Sequence, residues 1–314
     1  MYLLNYIIFK GVLAQSYILF LAMKYSKIIR AVIAALVIVI TFLVVRSYLN
    51  SHPSLIHQLG SVSLLVLLSV FLLYLVMFGI ILQLFHVTIL LCHKSINRRE
   101  NFYINGYSIG LNFILPGQTG PIFRSGYAKQ KYGIAFKTFL SVTLLYYFFY
   151  TLICLSFISV GSRPWWQSII FILFAAVALI YGTRWYVKKK ALDVEKIILQ
   201  KKWATILLLL TGAQFSLQTL IYYIELRAVD HIVSFHQVIA YTGIANVSLF
   251  VGLTPAGIGI RESFLVLSEK IHQIPISTIV LANLIDRSIY IIFIVTIVVT
   301  SVILHKFFKN REKA

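Results

Sequence analysis

This sequence is short of acid. Asp and Glu number nine against 28 Lys and Arg, and charged residues of all kinds make up 12% of the 314. A soluble domain carries about 25% charged residues. With 60% hydrophobic residues and a mean hydropathy of +0.90, a soluble globular fold is excluded and the chain reads as an integral membrane protein. Cysteine is scarcer still, with two residues. Cys92 and Cys154 lie in or beside apolar runs far apart in sequence, which supplies neither a disulfide framework nor a metal site. His52 and His57, like His231 and His236, stand five apart, and no His-x-x-x-His pair occurs. These histidines read as solvated loop residues, so no metal and no cofactor is expected. Carboxylates do not cluster either: only Glu262 and Asp286 fall deep in apolar sequence, and metal-assisted chemistry on a lipid phosphate lacks its usual donors. An enzyme is therefore not the expectation.

What is abundant is uncharged apolar sequence. Runs long enough for a hydrocarbon core of about 30 Å occur near residues 31–45, 61–91, 138–160, 166–186, 203–224 and 276–304. The formal charge of +19 would point to nucleic acid in a soluble protein. Here its placement argues otherwise. Lys and Arg gather at 24–30, 94–99, 129–137, 184–202 and 306–313, whereas the intervening stretches 46–60, 160–165 and 227–236 hold only Arg46, Arg163 and Arg227. That asymmetry puts the five clusters, and with them the C-terminus, in the cytoplasm of a cell (inner) membrane protein; no nucleic-acid partner is expected. Residues 12–23 are too short and too polar at Gln15-Ser16 to span, and read as an interfacial helix. Alternatively, Met23-Lys24-Tyr25-Ser26-Lys27 is itself the start and residues 1–22 are an upstream extension.

Two Pro/Gly segments interrupt the apolar pattern, Leu115-Pro116-Gly117-Gln118-Thr119-Gly120-Pro121 and Leu253-Thr254-Pro255-Ala256-Gly257-Ile258-Gly259. Pro cannot donate a backbone hydrogen bond and Gly holds helix poorly, so helices stop there. The segment before the first break, 102–115, is nearer a half-crossing than the roughly 20 residues of a full one. The basic residues after it return the chain to the cytoplasmic side. The second break, between a span that ends outside and a last span that must end inside, enters and leaves by the outer face. The expected fold is an all-α polytopic membrane protein, a single transmembrane domain over 1–314. It has about six full spans plus two re-entrant helical pairs arranged as an inverted repeat, with modules at 61–160 and 203–304 and loops near 116–120 and 255–259. Such paired, opposed helix breaks mark a transport site at mid-depth.

Broken backbone at that depth is tolerated only in protein or against a watery cavity. A helix starting after each break points its free N–H groups and positive dipole end back at it. Arg124 and Arg261 follow within the next turns, and together they make two anion receptors suited to phosphate. The bland alternative is that the prolines kink helices and the arginines reach an interface. Asp286-Arg287, some ten residues into the last span, needs partners; Arg287 is expected to pair with Glu262, and Asp286 with a cation or a substrate amine. A structural lock between the last span and the second broken module is the competing role. Asn112 and Asn246 are expected to hydrogen-bond freed backbone groups or else a headgroup. The candidate substrate-binding set is therefore Asn112, Pro116, Gly117, Gln118, Gly120 and Arg124 from the first module. From the second come Asn246, Pro255, Gly257, Gly259, Arg261, Glu262, Asp286 and Arg287. The aromatic runs Tyr146-Tyr147-Phe148-Phe149-Tyr150 and Trp165-Trp166 read as interfacial belt and span packing.

The first motif from Asn112 to Arg124 with Tyr132-Gly133 after it, and the second from Pro255 to Glu262 with Asp286-Arg287, resemble the transmembrane flippase-like family. This is the family of the membrane part of lysylphosphatidylglycerol synthase and of stand-alone proteins. The resemblance covers nearly the whole chain from about Met23. It implies a bundle with two re-entrant modules that moves a phospholipid or polyprenyl-linked lipid between leaflets. Because the chain ends at Ala314, the aminoacyl-transfer domain and lysyl transfer are not expected. Gln118 and Pro121 stand where the family's first motif has Arg and an acid, which turns the expectation from a zwitterionic aminoacyl-lipid toward a plainer anionic one. The alternative is an accessory or catalytic intramembrane subunit of envelope lipid or polysaccharide synthesis, with a homo-oligomer or an envelope-biosynthesis protein as partner.

Overall fold

The apolar runs become helices whose ends are set by identifiable side chains. The computed structural model describes residue 60 and residues 62–115, 119–190, 200–230, 232–250, 254 and 257–311. The expected span at 31–45, the alternative start at Met23, and Pro116, Gly117, Gln118 and Pro255 lie outside the described residues. Helix α1 is Leu64–Leu91, begun by the Ser63 hydroxyl accepting from the Leu65 N–H. Helix α2, Arg98–Ile114, starts four residues before the expected segment because the Asn97 side chain caps it by accepting from the Arg99 N–H. Leu115 is extended at φ −109° and ψ 142°, the conformation a following proline imposes, so the first break falls where the sequence puts it. Then follow α3 (Thr119–Tyr132), α4 (Phe136–Val160), α5 (Trp165–Lys190) and α6 (Lys201–Val229).

Helix α6 corrects the sequence reading. It runs past the expected end at 224 and carries Glu225 and, from the stretch expected outside, Arg227 as part of its last turns. Arg227 reaches the Val233 carbonyl at 3.3 Å, so it satisfies a backbone group beyond the helix end without breaking the helix. Helix α7 (Phe235–Ser248) opens with a Ser234/Gln237 capping box. Helix α8 (Ile260–Leu267) starts after Gly259, whose φ of 81° suits glycine and whose N–H donates to Glu262 Oε2 at 2.7 Å. A single turn, α9 (Glu269–His272), and the long α10 (Ile276–Arg311) complete the order.

Five helices, α1, α4, α5, α6 and α10, are long and apolar enough to cross a membrane, and no strand occurs among the described residues, so the chain is an all-α polytopic membrane protein. Leu65, Leu72, Ile170, Leu173, Ile292 and Val295 are exposed on their outer faces, where lipid would meet them. Between the long helices sit two pairs of short ones, α2 with α3 and α7 with α8.

The packing has a two-fold logic. Exchanging α1 with α6, α2 with α7, α3 with α8 and α4 with α10 maps the helix contacts onto one another. Helix α1 lies along α6, its own counterpart. The α2–α10 contact is matched by α7–α4, α1–α2 by α6–α7, α3–α4 by α8–α10, and α6–α10 by α1–α4. Each short-helix pair is thus seated on the long helix that follows the other pair. Only α5, on the outside of α4, and the α9 turn stand apart. The core divides into two large clusters, one around Tyr74, Tyr222, Tyr241, Leu265 and Phe293 and one around Phe85, Ile104, Ala128, Val142 and Leu207, with a small third of Tyr150, Cys154 and Phe215.

Small residues allow both seatings. A Cβ on Gly106 or Gly110, spaced as Gly-x-x-x-Gly on α2, would fall 1.9 Å from Ser301 Oγ or 2.7 Å from Val298 Cγ2 of α10. A Cβ on Gly243 of α7 would meet the Cys154 carbonyl and Ile158 nitrogen of α4, each at 2.8 Å. Gly243→Ala therefore forces two backbones apart and is expected to destabilise by about 1–3 kcal/mol. Gly212→Ala, where nothing lies within 4 Å, is expected to be neutral or up to about 1 kcal/mol stabilising. Thermal unfolding in detergent compares the two.

His272 closes the α8–α9 corner from inside. It is fully buried, with Nε2 donating to the Leu265 carbonyl at 2.8 Å and Nδ1 accepting from the Ile274 N–H at 3.1 Å. Burial holds its imidazole below the ordinary value of 6.5, because the charged ring would give up water that the site does not replace. Its contribution to stability is complete above the unfolded value and is lost as pH falls through the lower folded one. Stability is expected to decline below about pH 6.5 by at most about 1.4 kcal/mol per pH unit. His272→Gln should flatten that decline in a pH series of melting temperatures.

Candidate functional site

The two short-helix pairs face each other across a cavity of about 370 Å³, walled on the sides by α1, α4, α6 and α10. From the first pair Asn112 and Arg124 line it; from the second, Asn246, Gly257 and Arg261; and from α10, Asp286 and Arg287. Gly120, Gly259 and Glu262 stand behind this lining. Gly120 is where α3 crosses α2 most closely, since a Cβ there would lie 2.6 Å from the Ser108 carbonyl.

Beneath the second break, a four-residue lattice joins α8 to α10. Arg261 and Glu262 are adjacent on one helix, Asp286 and Arg287 on the other, with the signs crossed. Arg261 Nη2 lies 2.5 Å from Asp286 Oδ2, and Arg287 Nη2 lies 2.9 Å from Glu262 Oε1. The pairing of Arg287 with Glu262 is the one the sequence suggested. Of the two partners expected for Asp286 it has the cation, the chain's own Arg261, and its other oxygen accepts from the Tyr74 hydroxyl. Arg261 also donates to Asn283 Oδ1 at 2.5 Å and to the Tyr222 hydroxyl at 3.3 Å, while Asn283 donates onward to Tyr241 at 3.2 Å. Arg261 is only 7% exposed and Asp286 2%, so each is the other's compensation for leaving water.

Arg124 is in another position. It is half-buried, its Nη1 donates to Asn105 Oδ1 at 3.1 Å, and its guanidinium carbon lies 5.5 Å from the centroid of the Phe85 ring. Asn105, fully buried, is held in turn by Asn101, and Asn101 by the Leu82 carbonyl. Every link in this chain is neutral. The first pair does have an acid, Glu100, but it sits at the far end of α2, binding Lys131 at 2.9 Å and the Tyr127 and Tyr132 hydroxyls. Of the three arginines that line the cavity, Arg124 alone has no carboxylate among the described residues, and its Nε has no partner.

Several site residues were not found from sequence. Tyr146 and Tyr150, read as belt and packing, turn inward to the cavity and bind Gln214 at 3.1 Å and Asn246 at 2.6 Å. Asn246 in turn donates to the Thr242 carbonyl, within its own helix, so it ties α7 to α4. Tyr74 and Tyr222 had no signal beyond a hydroxyl inside an apolar run. Asn283, three residues before Asp286 and on the same helix face, was detectable by that spacing. Glu225 is the largest omission: it is 1% exposed, one turn after Tyr222, so Glu262 and Asp286 are not the only deep acids.

Breaking the Arg261–Asp286 pair from one side strands a buried charge. Arg261→Gln is expected to destabilise by about 3–5 kcal/mol, and Arg261→Gln with Asp286→Asn by clearly less. Melting temperatures of the two singles and the double give the coupling.

No curated protein and no solved structure gives a significant match to this chain. The family model described as the lysylphosphatidylglycerol synthase TM region matches residues 27–297, most of the chain and both short-helix pairs, and the protein belongs to that family.

Proposed function

We propose that the protein translocates an anionic, phosphate-bearing lipid between the leaflets of the cell membrane, with its C-terminus cytoplasmic and no bond made or broken. The substrate class is a phospholipid or a polyprenyl-linked lipid. In this reading α2–α3 enters from the cytoplasmic side and α7–α8 from the outer side, as an inverted repeat meeting near mid-depth. Three things support it: membership of a membrane-lipid family, the two-fold exchange in the packing, and a shared cavity that would otherwise leave broken backbone facing lipid.

The observation that carries it is Arg124. A guanidinium kept in a cavity, without a carboxylate or an Nε partner among the described residues and oriented by Asn105 and Phe85, is a receptor for an external anion. Phosphate matches its paired donors. At about 370 Å³ the cavity takes a headgroup and leaves the acyl chains in the bilayer. Arg261 and Arg287, each already paired, hold the opposite wall and do not compete for the headgroup.

The test is purified protein in liposomes with a fluorescent anionic phospholipid or polyprenyl phosphate in the inner leaflet, scored by exposure to an external quencher. Arg124→Gln is expected to lower the rate tenfold or more, and Arg124→Lys to keep part of it, since charge remains while the fork is lost. A wild-type rate in Arg124→Gln would remove the anion site from the mechanism.

A further inference from the structure

The charge cluster below the second break does not balance. Three carboxyl groups, Glu225, Glu262 and Asp286, face two guanidiniums, Arg261 and Arg287. Glu262 is taken by Arg287 and by the Gly259 N–H; Asp286 is taken by Arg261 and Tyr74. Glu225 has neither an arginine nor a hydroxyl of its own. It is 1% exposed, its Oε1 has no partner among the described residues, and it stands one turn after Tyr222, which binds Arg261, the partner of Asp286. A buried carboxyl group with no cation of its own is stable only with a proton bound, and with a second carboxyl in the same cluster that proton belongs to the pair.

Among the described residues the surroundings supply no other compensating charge. From α10 Glu225 faces Asp286 and Arg287, from α8 Arg261, from α1 Tyr74, from α7 Tyr241 and on its own helix Tyr222. Helix α4, also packed on α6, brings Tyr150, which neighbours Tyr222. Among these groups the arginines are the only cations, and both are already paired.

We propose that Glu225 and Asp286 together are a proton-binding site, and that one proton enters and leaves this pair with each anionic headgroup carried. The inference rests on the translocator reading for its cargo but not for the site itself. With the proton bound the cluster is neutral; without it the cavity wall carries one net negative charge, through Asp286, in the same cavity as Arg124. A headgroup phosphate and that charge repel. Anion binding therefore draws a proton in, and proton loss expels the anion, by reciprocal linkage. The proton comes from water at one face and returns to water at the other, so nothing is oxidised and no bond other than O–H changes.

Two readouts separate the proton site from its cargo. Infrared difference spectra of the purified protein between acidic and alkaline buffer are expected to show a carboxylic-acid carbonyl band that is absent in Glu225→Gln and retained in Glu225→Asp. In liposomes, transport of the fluorescent phospholipid is expected to fall on the order of tenfold from acidic to alkaline pH, the effect of one charge across a cavity, and to become pH-independent in Glu225→Gln. A missing band in the wild type, or a Glu225→Gln protein with the wild-type pH response, overturns the proposal. If the wild type moves no lipid, the translocator reading falls and the infrared band alone decides the proton site. Glu225→Gln is isosteric; a melting temperature near that of the wild type confirms that both readouts come from folded protein.

Discussion

Arg261 and Asp286 are buried in a part of the molecule where neither would be stable alone, and much of the architecture exists to let them stay there. A single unpaired charge at such depth costs from about 2.5 kcal/mol upward. The pair is secured by Tyr74 from α1, Tyr222 from α6 and Asn283 from α10, while Glu262 and Arg287 beside it repeat the pairing with the signs reversed. Four helices are thereby tied to one point. Because Arg261 opens α8 immediately after the second break, the same pair also fixes where the broken backbone resumes its helix.

The first short-helix pair is built by the same two-fold rule but is chemically different. Where the second has Arg261 neutralised by an acid, the first has Arg124 supported by asparagines and an aromatic ring, and its acid, Glu100, is spent at the far end anchoring α3. A symmetric scaffold thus presents one committed and one uncommitted arginine to a common cavity. The departures at Gln118 and Pro121 fall on this first side, and Pro121 lines the cavity.

Much of this was legible in the sequence because its strongest signals are local. Long uncharged runs gave five helices to within a few residues, and Leu115 before Pro116 ended α2 as a proline requires. What stayed hidden depends on contacts between distant segments. Glu225 looked like the start of a loop because Arg227 and Asp230 follow it, yet α6 continues while Arg227 reaches out to Val233. The seating of α2 on α10 was present in Gly106 and Gly110, but spacing alone does not say which helix a small-residue stripe will meet. Tyr146 and Tyr150 carry no mark that distinguishes a cavity-facing tyrosine from one at an interface.

The account depends most on the two short-helix pairs entering from opposite faces. Labelling of single cysteines with a membrane-impermeant reagent, in a background lacking Cys92 and Cys154, tests this directly. Asn97→Cys and Lys131→Cys, at the two ends of the first pair, should both react only after the membrane is opened. Ser234→Cys and Gln273→Cys, flanking the second, should both react in intact cells. If either pair is labelled at one end from outside and at the other from inside, that pair crosses the membrane, and the opposed re-entrant arrangement is wrong.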